Sequence, residues 1–254
     1  MPDSNHGRFV WYELLTTDPE AAAGFYTHLF GWGTETMTVE KEPYTVFTAG
    51  GAPHGGMLQK PPGAEGPPSW LGYVAVEDVD AAARRAEERG ATIHVPPRDI
   101  PTVGRFAVLA DPQGAMFALY RSSNPQPSRD PGEGNVSWHE LATTDAGAAW
   151  RFYSELFGWA PAGEFDMGEA GMYSMFGYDG PPPLGAVYPK PAEMPGPPAW
   201  TYYVSVSDLD GKAEKVKERG GRILMGPMEV PGGDRIATFA DPQGAVLAMH
   251  ERKS

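Results

Sequence analysis

The stretch WYELLTTDPEAAAGFYTHLFGW, residues 11–32, decides the fold because the chain carries it twice. Its second copy is WHELATTDAGAAWRFYSELFGW at 138–159, displaced by 127 residues. A second repeat begins at Trp70 and Trp200, where 22 of 51 aligned positions are identical without a gap. Chance composition does not produce such a match, and an internal repeat constrains the fold more than any local signal. We therefore predict a tandem duplication of one domain.

Each copy opens with a strand followed by a helix. Residues 9–16 are β-prone, Asp18 suits the helix N-cap and Pro19 suits the first helical position. Gly31 then predicts the end of the helix. Apolar residues at helical spacing predict one buried face. This face comprises Ala22, Phe25, Tyr26, Leu29 and Phe30, repeated as Ala149, Phe152, Tyr153, Leu156 and Phe157.

A second strand and helix follow within each copy. In the first copy, residues 73–76 read as a strand, Asp78 or Asp80 as the helix cap and Gly90 as the helix end. Short strands follow each helix, and the sequence Asp-Pro-Gln-Gly at 111–114 predicts a tight hairpin turn. The order strand, helix and about three strands occurs four times. The predicted fold class is therefore α+β, with four βαβββ units.

Two domains suit a chain of 254 residues in which 41% of residues are hydrophobic. The predicted domains are residues 1–122 and 135–254. Residues 123–134 are rich in Pro, Gly, Ser and charged residues, which is typical of a linker.

The composition excludes several classes of protein. A formal charge of -13 opposes binding to nucleic acid and to anionic membranes. No run approaches the roughly 18 apolar residues of a membrane span. The absence of cysteine excludes disulfides, thiolate metal sites and cysteine nucleophiles. We expect a soluble, cytoplasmic protein whose partner is a small molecule.

The repeated βαβββ pattern resembles the vicinal oxygen chelate superfamily, which includes glyoxalase I, extradiol dioxygenases and bleomycin-resistance proteins. The resemblance covers nearly all of the chain and rests on Phe25-Tyr26, Leu29-Phe30-Gly31-Trp32, the junction at 76–80 and the turn at 111–114, each repeated in the second copy. More narrowly, the chain is similar to two-domain actinobacterial members, including a mycobacterial antigen. The resemblance implies half-barrel mixed sheets and copies that pair within one chain, as a monomer or weak dimer.

In metal-using members of this superfamily, His, Gln or Glu side chains bind one divalent ion. The resemblance implies that three of the four ligand positions fall at Trp11, Leu71 and Ala118 in the first copy and at Trp138, Thr201 and Ala248 in the second. The fourth falls within 57–59 or 187–189, where only Gln59 carries a donor. Indole and methyl groups do not coordinate divalent ions. We therefore predict no metal and no other cofactor.

An alternative metal site would use Glu13, His139, Glu140 or His250, which lie near these positions. Side chains alternate along a strand, so His139 points away from the face of Trp138, whereas Glu140 shares that face. Glu140 and His250 would then still need a third ligand, and both read more simply as residues at the rim.

The remaining side chains predict a pocket for a flat or hydrophobic molecule, although such aromatic residues also fill cores. Glu13 and Glu140 could receive a cation or a hydrogen-bond donor. Arg105 and Arg235 could bind a carboxylate or form a salt bridge with a neighbouring acid. The predicted ligand-binding residues are Trp11, Glu13, Tyr73, Arg105, Met116, Tyr120, Trp138, Glu140, Tyr203 and Arg235.

Three functions follow from this pattern. The leading hypothesis is a metal-independent binder of small aromatic or hydrophobic molecules, of the sequestering or resistance type. The second is a glyoxalase-like lyase or isomerase, or a dioxygenase, with a non-standard metal site or with Glu13 or Glu140 as a metal-free base. The third is a non-catalytic regulatory protein that retains only the fold.

Overall fold

The computed structural model describes residues 5–39, 42–63, 66–125, 132–178 and 182–253. The first copy forms β1 (Phe9–Thr16), α1 (Pro19–Phe30), β2 (Gly33–Val39), β3 (Glu42–Ala49), β4 (Ala52–Gln59), β5 (Ser69–Ala75), α2 (Val79–Glu88), β6 (Thr92–Ile100), β7 (Gly104–Ala110) and β8 (Met116–Ser122). The second copy forms β9 (Val136–Thr143), α3 (Ala146–Phe157), β10 (Trp159–Asp166), a 3-10 turn (Gly168–Ala170), β11 (Met172–Tyr178), β12 (Gly185–Pro189), β13 (Ala199–Ser205), α4 (Leu209–Glu218), β14 (Arg222–Glu229), β15 (Arg235–Ala240) and β16 (Val246–Glu251).

Each copy builds one mixed sheet of eight strands. The strand order is β2-β3-β4-β1-β5-β8-β7-β6 in the first copy and β10-β11-β12-β9-β13-β16-β15-β14 in the second. In every βαβββ unit the first and last strands pair in parallel, and the other pairs are antiparallel. The predicted α+β class with four βαβββ units is therefore confirmed, and each sheet is built from a single copy.

Packing groups the chain differently from the sequence repeats. One compact unit contains Met1–Val10, Gly72–Arg129 and His139–Trp200, and we call it unit 1. The other, unit 2, contains Trp11–Leu71, Asp130–Trp138 and Thr201–Ser254. Each unit therefore combines one βαβββ half of the first copy with one half of the second. The predicted boundaries at 122 and 135 mark the repeats, and residues 126–131 of the predicted linker lie outside the described residues.

The helices follow the sequence closely. Asp18 caps α1 by accepting the N–H of Ala21 at 3.0 Å, and Gly31 ends the helix in the left-handed conformation. The buried residues of α1 and α3 are those predicted from the periodicity. For α2, the cap is Asp78 rather than Asp80. None of the described helices is long and apolar enough to cross a membrane.

A buried tyrosine connects the two copies within unit 2. The Tyr26 hydroxyl, on α1, donates to Asp241 Oδ2 at 2.9 Å and accepts the indole N–H of Trp70 at 3.0 Å. Asp241 Oδ1 accepts the backbone N–H groups of Gln243 and Ala245 at 3.0 and 2.8 Å. Tyr26 is fully buried and Asp241 is 4% exposed. The helix of one copy is thus bonded to the hairpin turn of the other.

Unit 1 contains the same arrangement with the copies exchanged. The Tyr153 hydroxyl donates to Asp111 Oδ2 at 3.0 Å and accepts the indole N–H of Trp200 at 3.1 Å. Backbone N–H groups of Gln113 and Ala115 donate to Asp111 Oδ1. Burial raises the pKa of the Asp111 carboxyl in spite of these donors, as it does in the equivalent carboxyl of unit 2.

We expect Tyr26→Phe to destabilise the protein by about 3 kcal/mol, because the change leaves a buried carboxylate oxygen and a buried indole N–H without a partner. Tyr153→Phe, its counterpart in unit 1, should have a similar effect. Tyr178→Phe is the control, because that side chain is 38% exposed. Denaturant unfolding measures the free energy of unfolding of the three variants. A decrease below about 0.5 kcal/mol for Tyr26→Phe would show that the hydrogen bond between Tyr26 and Asp241 contributes little to stability.

Candidate functional site

The two faces of β1 have different surroundings. Tyr12, Leu14 and Thr16 are buried, whereas Trp11 and Glu13 are only half-buried. This alternation agrees with the prediction that Trp11 and Glu13 share one face of the strand. We call this side of the sheet, which is the one away from the helices, the open face.

In unit 2 a hydrogen-bonded chain joins the predicted residues of β1. The Trp11 indole N–H donates to the Tyr44 hydroxyl at 3.0 Å, and this hydroxyl donates to Glu13 Oε1 at 3.0 Å. Gly56 lies opposite Glu13 on β4. A Cβ atom at Gly56 would lie 1.9 Å from the Tyr44 hydroxyl, so glycine provides the space for this ring. The phenol of Tyr44 was not identified from the sequence.

In unit 1 the second copy has an equivalent pair. The Tyr173 hydroxyl donates to Glu140 Oε1 at 2.5 Å. The Tyr188 ring lies 5.7 Å from the Tyr173 ring, and burial, together with the charge of Glu140, raises the pKa of the Tyr188 phenol. The position opposite Glu140 is Ala186. A carboxylate that accepts from a tyrosine is therefore a repeated feature of the open face.

The register of β4 identifies the fourth position that a metal ligand would need. Leu58 lies opposite Leu15, so Gly56 and Leu58 share the face of Trp11 and Glu13. Gln59 lies opposite the buried Thr16, on the other face, and its amide donates to the Thr17 carbonyl at 3.1 Å. The one residue of this window with a donor side chain is therefore directed away from the open face.

The side chains at the implied metal positions do not fit a metal ion. Trp11, Leu71 and Ala118 offer no lone pair to a divalent ion, and Ala118 is fully buried. In the second copy, Trp138 and Ala248 are equally without a donor, and Thr201 offers a single hydroxyl. Among the residues that the structure describes, no cluster of three or more His, Asp or Glu side chains could hold an ion.

His139 is buried, with 7% exposure; strand alternation predicts only that it points away from the face of Trp138. In unit 1 its ring stacks on Phe9 with centroids 4.3 Å apart, and its Nδ1 lies 2.7 Å from the Leu184 carbonyl. Because the carbonyl can only accept, Nδ1 carries the proton. Burial lowers the pKa of His139 to about 4, so the ring is neutral at pH 7.

The predicted aromatic residues of β5 and β8 meet in unit 1. The Tyr73 ring lies 6.2 Å from both the Phe106 and the Tyr120 rings, and the Tyr120 hydroxyl donates to the Val103 carbonyl at 3.1 Å. Arg98 lies 5.8 Å above the Phe106 ring. Met116, the other predicted residue here, is 38% exposed.

The predicted arginines both form salt bridges, which is the second of the two roles considered for them. In unit 1, Arg105 contacts Asp80 at 2.6 Å and Asp99 at 3.0 Å. In unit 2, Arg235 contacts Asp210 at 2.9 Å and Glu251 at 3.1 Å.

Arg235 also lines an open cleft of about 590 Å³ in unit 2. The cleft wall includes Ser205, Arg252 and Lys253, which were not predicted as site residues. None of the residues that line the cleft is aromatic, so it is not the aromatic pocket that the sequence predicts.

A polar network around His250 was missed by sequence reasoning. In unit 2 its Nδ1 lies 3.0 Å from Ser137 Oγ, and its Nε2 lies 2.9 Å from Asp234 Oδ2. Asp234 also accepts the backbone N–H of Lys253 at 2.8 Å. Burial raises the pKa of the Asp234 carboxyl, but the hydrogen bonds from Lys253 and His250 lower it by more. The pKa of this carboxyl is therefore below its ordinary value. His250 was predicted as a residue at the rim, whereas in the structure both of its ring nitrogens lie within hydrogen-bond distance of a side chain.

The other two predicted residues of unit 2 also lie on the open face or beside it. Trp138, on β9, is half-buried, and Tyr203, on β13, is 2% exposed. Tyr203 lies directly opposite Ala248 of β16. The structure thus brings Trp11 together with Glu13, and Tyr73 with Tyr120, whereas Arg105 and Arg235 are held by acids.

Residues 8–119 and 135–249 each match the Glyoxalase/Bleomycin resistance protein/Dioxygenase superfamily. The chain belongs to this superfamily. Both sequence repeats are therefore members of one domain family, and the resemblance predicted from their motifs is confirmed.

Similar proteins in this superfamily are named for different activities. Putative glyoxylase CFP32 of Mycobacterium tuberculosis is 34% identical over 245 residues, which cover 94% of this chain and 92% of that protein. Anthracycline biosynthesis protein DnrV of Streptomyces peucetius is 34% identical over 265 residues, covering 96% and 93%. The crystal structure of the Mn(II)-bound glyoxalase of Novosphingobium aromaticivorans has a TM-score of 0.69 at 18% identity, covering 99% of this chain and 83% of that one. At this identity, the structural likeness shows the fold alone.

The neutral His139 predicts acid sensitivity. Its pKa is about 4 in the folded chain and about 6.5 in an unfolded chain, so protonation favours the unfolded state. This contribution to stability is intact above about pH 6.5 and is lost as the pH falls towards 4, by about 3 kcal/mol in total.

Denaturant unfolding across this pH range should show the loss in the wild type. The matched variant is His139→Phe, which removes the titrating group but keeps a ring for stacking on Phe9. An equally steep loss of stability in this variant would refute the assignment to His139.

Proposed function

We propose that the protein binds small aromatic or hydrophobic molecules without a metal ion, as a sequestering protein of its superfamily. One observation carries the proposal: both copies have Trp and Ala where metal-using members carry ligands on the first and last strands of a domain. These residues are Trp11 and Ala118 in the first copy and Trp138 and Ala248 in the second. An indole at such a place removes a donor and supplies a flat apolar surface.

The site chemistry supports an aromatic ligand with a polar substituent. Trp11 and Tyr44 provide rings, and Glu13, which accepts from Tyr44, provides a carboxylate to which a ligand hydroxyl or ammonium group could donate. The name of DnrV, an anthracycline biosynthesis protein, supports the same ligand class, because anthracyclines are flat polycyclic aromatic compounds.

We also propose that the chain acts in the cytoplasm as a monomer or weak dimer, with neither nucleic acid nor a membrane as its partner. The formal charge of -13 and the absence of cysteine support this proposal.

A second candidate function is a metal-free lyase or isomerase. The specific observation in its favour is that Glu13 and Glu140 each accept from a tyrosine, at 3.0 and 2.5 Å. A carboxylate and a phenol in contact can act as general base and general acid beside a substrate carbonyl. The name of CFP32, a putative glyoxylase, is consistent with such a reaction.

Thermal unfolding with and without ligands tests the binding proposal. We expect no change in Tm with Ni²⁺, Mn²⁺ or Zn²⁺, because the implied ligand positions lack donors. We expect an anthracycline at a hundredfold excess over its Kd to raise Tm by about 5 to 10 °C, since such a ligand contributes about 2.7 kcal/mol. A rise with metal that is abolished by EDTA would contradict metal independence.

A turnover assay separates the two candidates. Under the binding proposal we expect no conversion of the hemithioacetal of methylglyoxal and no cleavage of catechol. A rate above background that is lost in the double variant Glu13→Gln, Glu140→Gln would establish the enzymatic alternative. The matched control is Glu164→Gln, which changes an exposed glutamate of β10.

A further inference from the structure

One surface of the sheet in the first copy and the aligned surface in the second copy carry different side chains. We call Tyr73, Val95, Arg98, Phe106, Ala118 and Tyr120 the first-copy wall, and their counterparts Tyr203, Met225, Met228, Ile236, Ala248 and His250 the second-copy wall. The first lies in unit 1 and the second in unit 2.

Strand register places the members of each wall on one face. In the second-copy wall, Met225 lies opposite Thr238, Thr238 opposite Ala248, and Ala248 opposite Tyr203. The next row runs from Met228 through Ile236 to His250. Directly opposed residues project from the same side of a sheet, so the wall is one continuous surface.

The first-copy wall is occupied by its own side chains. Tyr73 packs against both Phe106 and Tyr120, and Arg98 covers the Phe106 ring. The Tyr120 hydroxyl is bonded to the Val103 carbonyl, which fixes the ring in place. A ligand ring would have to displace these contacts.

The second-copy wall has smaller groups at three of these places, whereas Met225 is larger than its counterpart Val95. Ile236 replaces a phenylalanine, His250 replaces a tyrosine, and Met228 replaces the arginine that covers the first-copy wall. These changes remove two six-membered rings and one cation from the surface. The area over Ile236 is therefore lined by smaller groups than the area that Phe106, Arg98 and Tyr120 fill in the first copy.

Both ring nitrogens of His250 are engaged by neighbouring side chains, with Ser137 Oγ at 3.0 Å and Asp234 Oδ2 at 2.9 Å. The counterpart of Asp234 in the first copy is Gly104, where a Cβ atom would lie 2.3 Å from the Arg121 carbonyl oxygen and 2.8 Å from the Tyr120 ring. Glycine at 104 thus permits the large ring of the first copy, whereas Asp234 fixes the smaller ring of the second. In each wall, the size of the ring therefore matches the residue beside it: Gly104 lies beside Tyr120 in the first copy, and Asp234 lies beside His250 in the second.

The methionines of the second-copy wall remain open to solvent. Met225 is 42% exposed and Met228 is 45% exposed. Exposed apolar side chains at one place are typical of a binding surface, and the flexible thioether of methionine adapts to flat rings of different shape.

We propose that the second-copy wall binds a flat aromatic molecule, one per chain, and that the first-copy wall does not. This inference rests on the proposed binding function and assigns it to unit 2, which also contains Trp11, Glu13 and Tyr44. The ligand ring lies over Ile236 between Met228 and Met225, in the area that Phe106, Arg98 and Tyr120 fill in the first copy.

Titration with N-phenyl-1-naphthylamine tests this assignment, because its fluorescence rises when the ring enters an apolar environment. We expect one probe molecule per chain in the wild type. Ile236→Phe and Met228→Arg restore the first-copy residues and should each weaken binding at least tenfold. Met228→Arg changes an exposed side chain and should leave thermal unfolding unchanged.

The reciprocal variants Phe106→Ile and Arg98→Met are the matched controls and should retain the wild-type affinity of this site. Two equivalent probes per wild-type chain would overturn the inference, as would loss of binding in Phe106→Ile but not in Ile236→Phe. The absence of any fluorescence increase in the wild type would instead refute the aromatic ligand class, and with it the proposed function.

Discussion

The interaction on which the rest of the structure depends is the buried hydrogen bond between a helix tyrosine and the aspartate of a hairpin turn, Tyr26 with Asp241 and Tyr153 with Asp111. Each bond joins the first half of one copy to the second half of the other, within one compact unit. Burying a carboxylate is unfavourable unless its oxygens are satisfied, and here backbone N–H groups and the phenol supply the donors. The most strongly repeated motifs of the sequence are therefore the ones that bring the copies together.

The same arrangement leaves the open side of each sheet to other side chains. Helices cover one face of every βαβββ unit, so residues such as Leu14 and Ala22 are buried, while Glu13 and Trp11 need partners of their own. Tyr44 provides a partner for both through a single hydroxyl. Hydrogen bonds between side chains thus satisfy the polar groups of this part of the open face. The Glu13 carboxylate and the rings of Trp11 and Tyr44 therefore lie together on the open face.

Much of this could be predicted from the sequence, because helix periodicity and caps are local. The buried residues of α1 follow from spacing alone. Strands β2 and β6 could not be assigned, since β2 is polar and mostly exposed and β6 contains two prolines, as edge strands tolerate. Tyr44 escaped prediction because its position depends on a register shift between Phe47 and Thr48. The network of Ser137, Asp234 and His250 includes a contact between residues 113 positions apart, and none of its members belongs to a repeated motif.

The exchange of halves between the copies has a consequence for how the protein can change. When two identical chains form such an assembly, one gene encodes both sites, and every substitution appears in both at once. Joining the copies in one chain removes that constraint, because each site then mutates separately while the bridges of Tyr26 and Tyr153 maintain the shared framework. The pairs Gly104 with Tyr120 and Asp234 with His250 show this divergence. After fusion, the sites of the two copies can therefore come to differ in their side chains while the fold of each copy is retained.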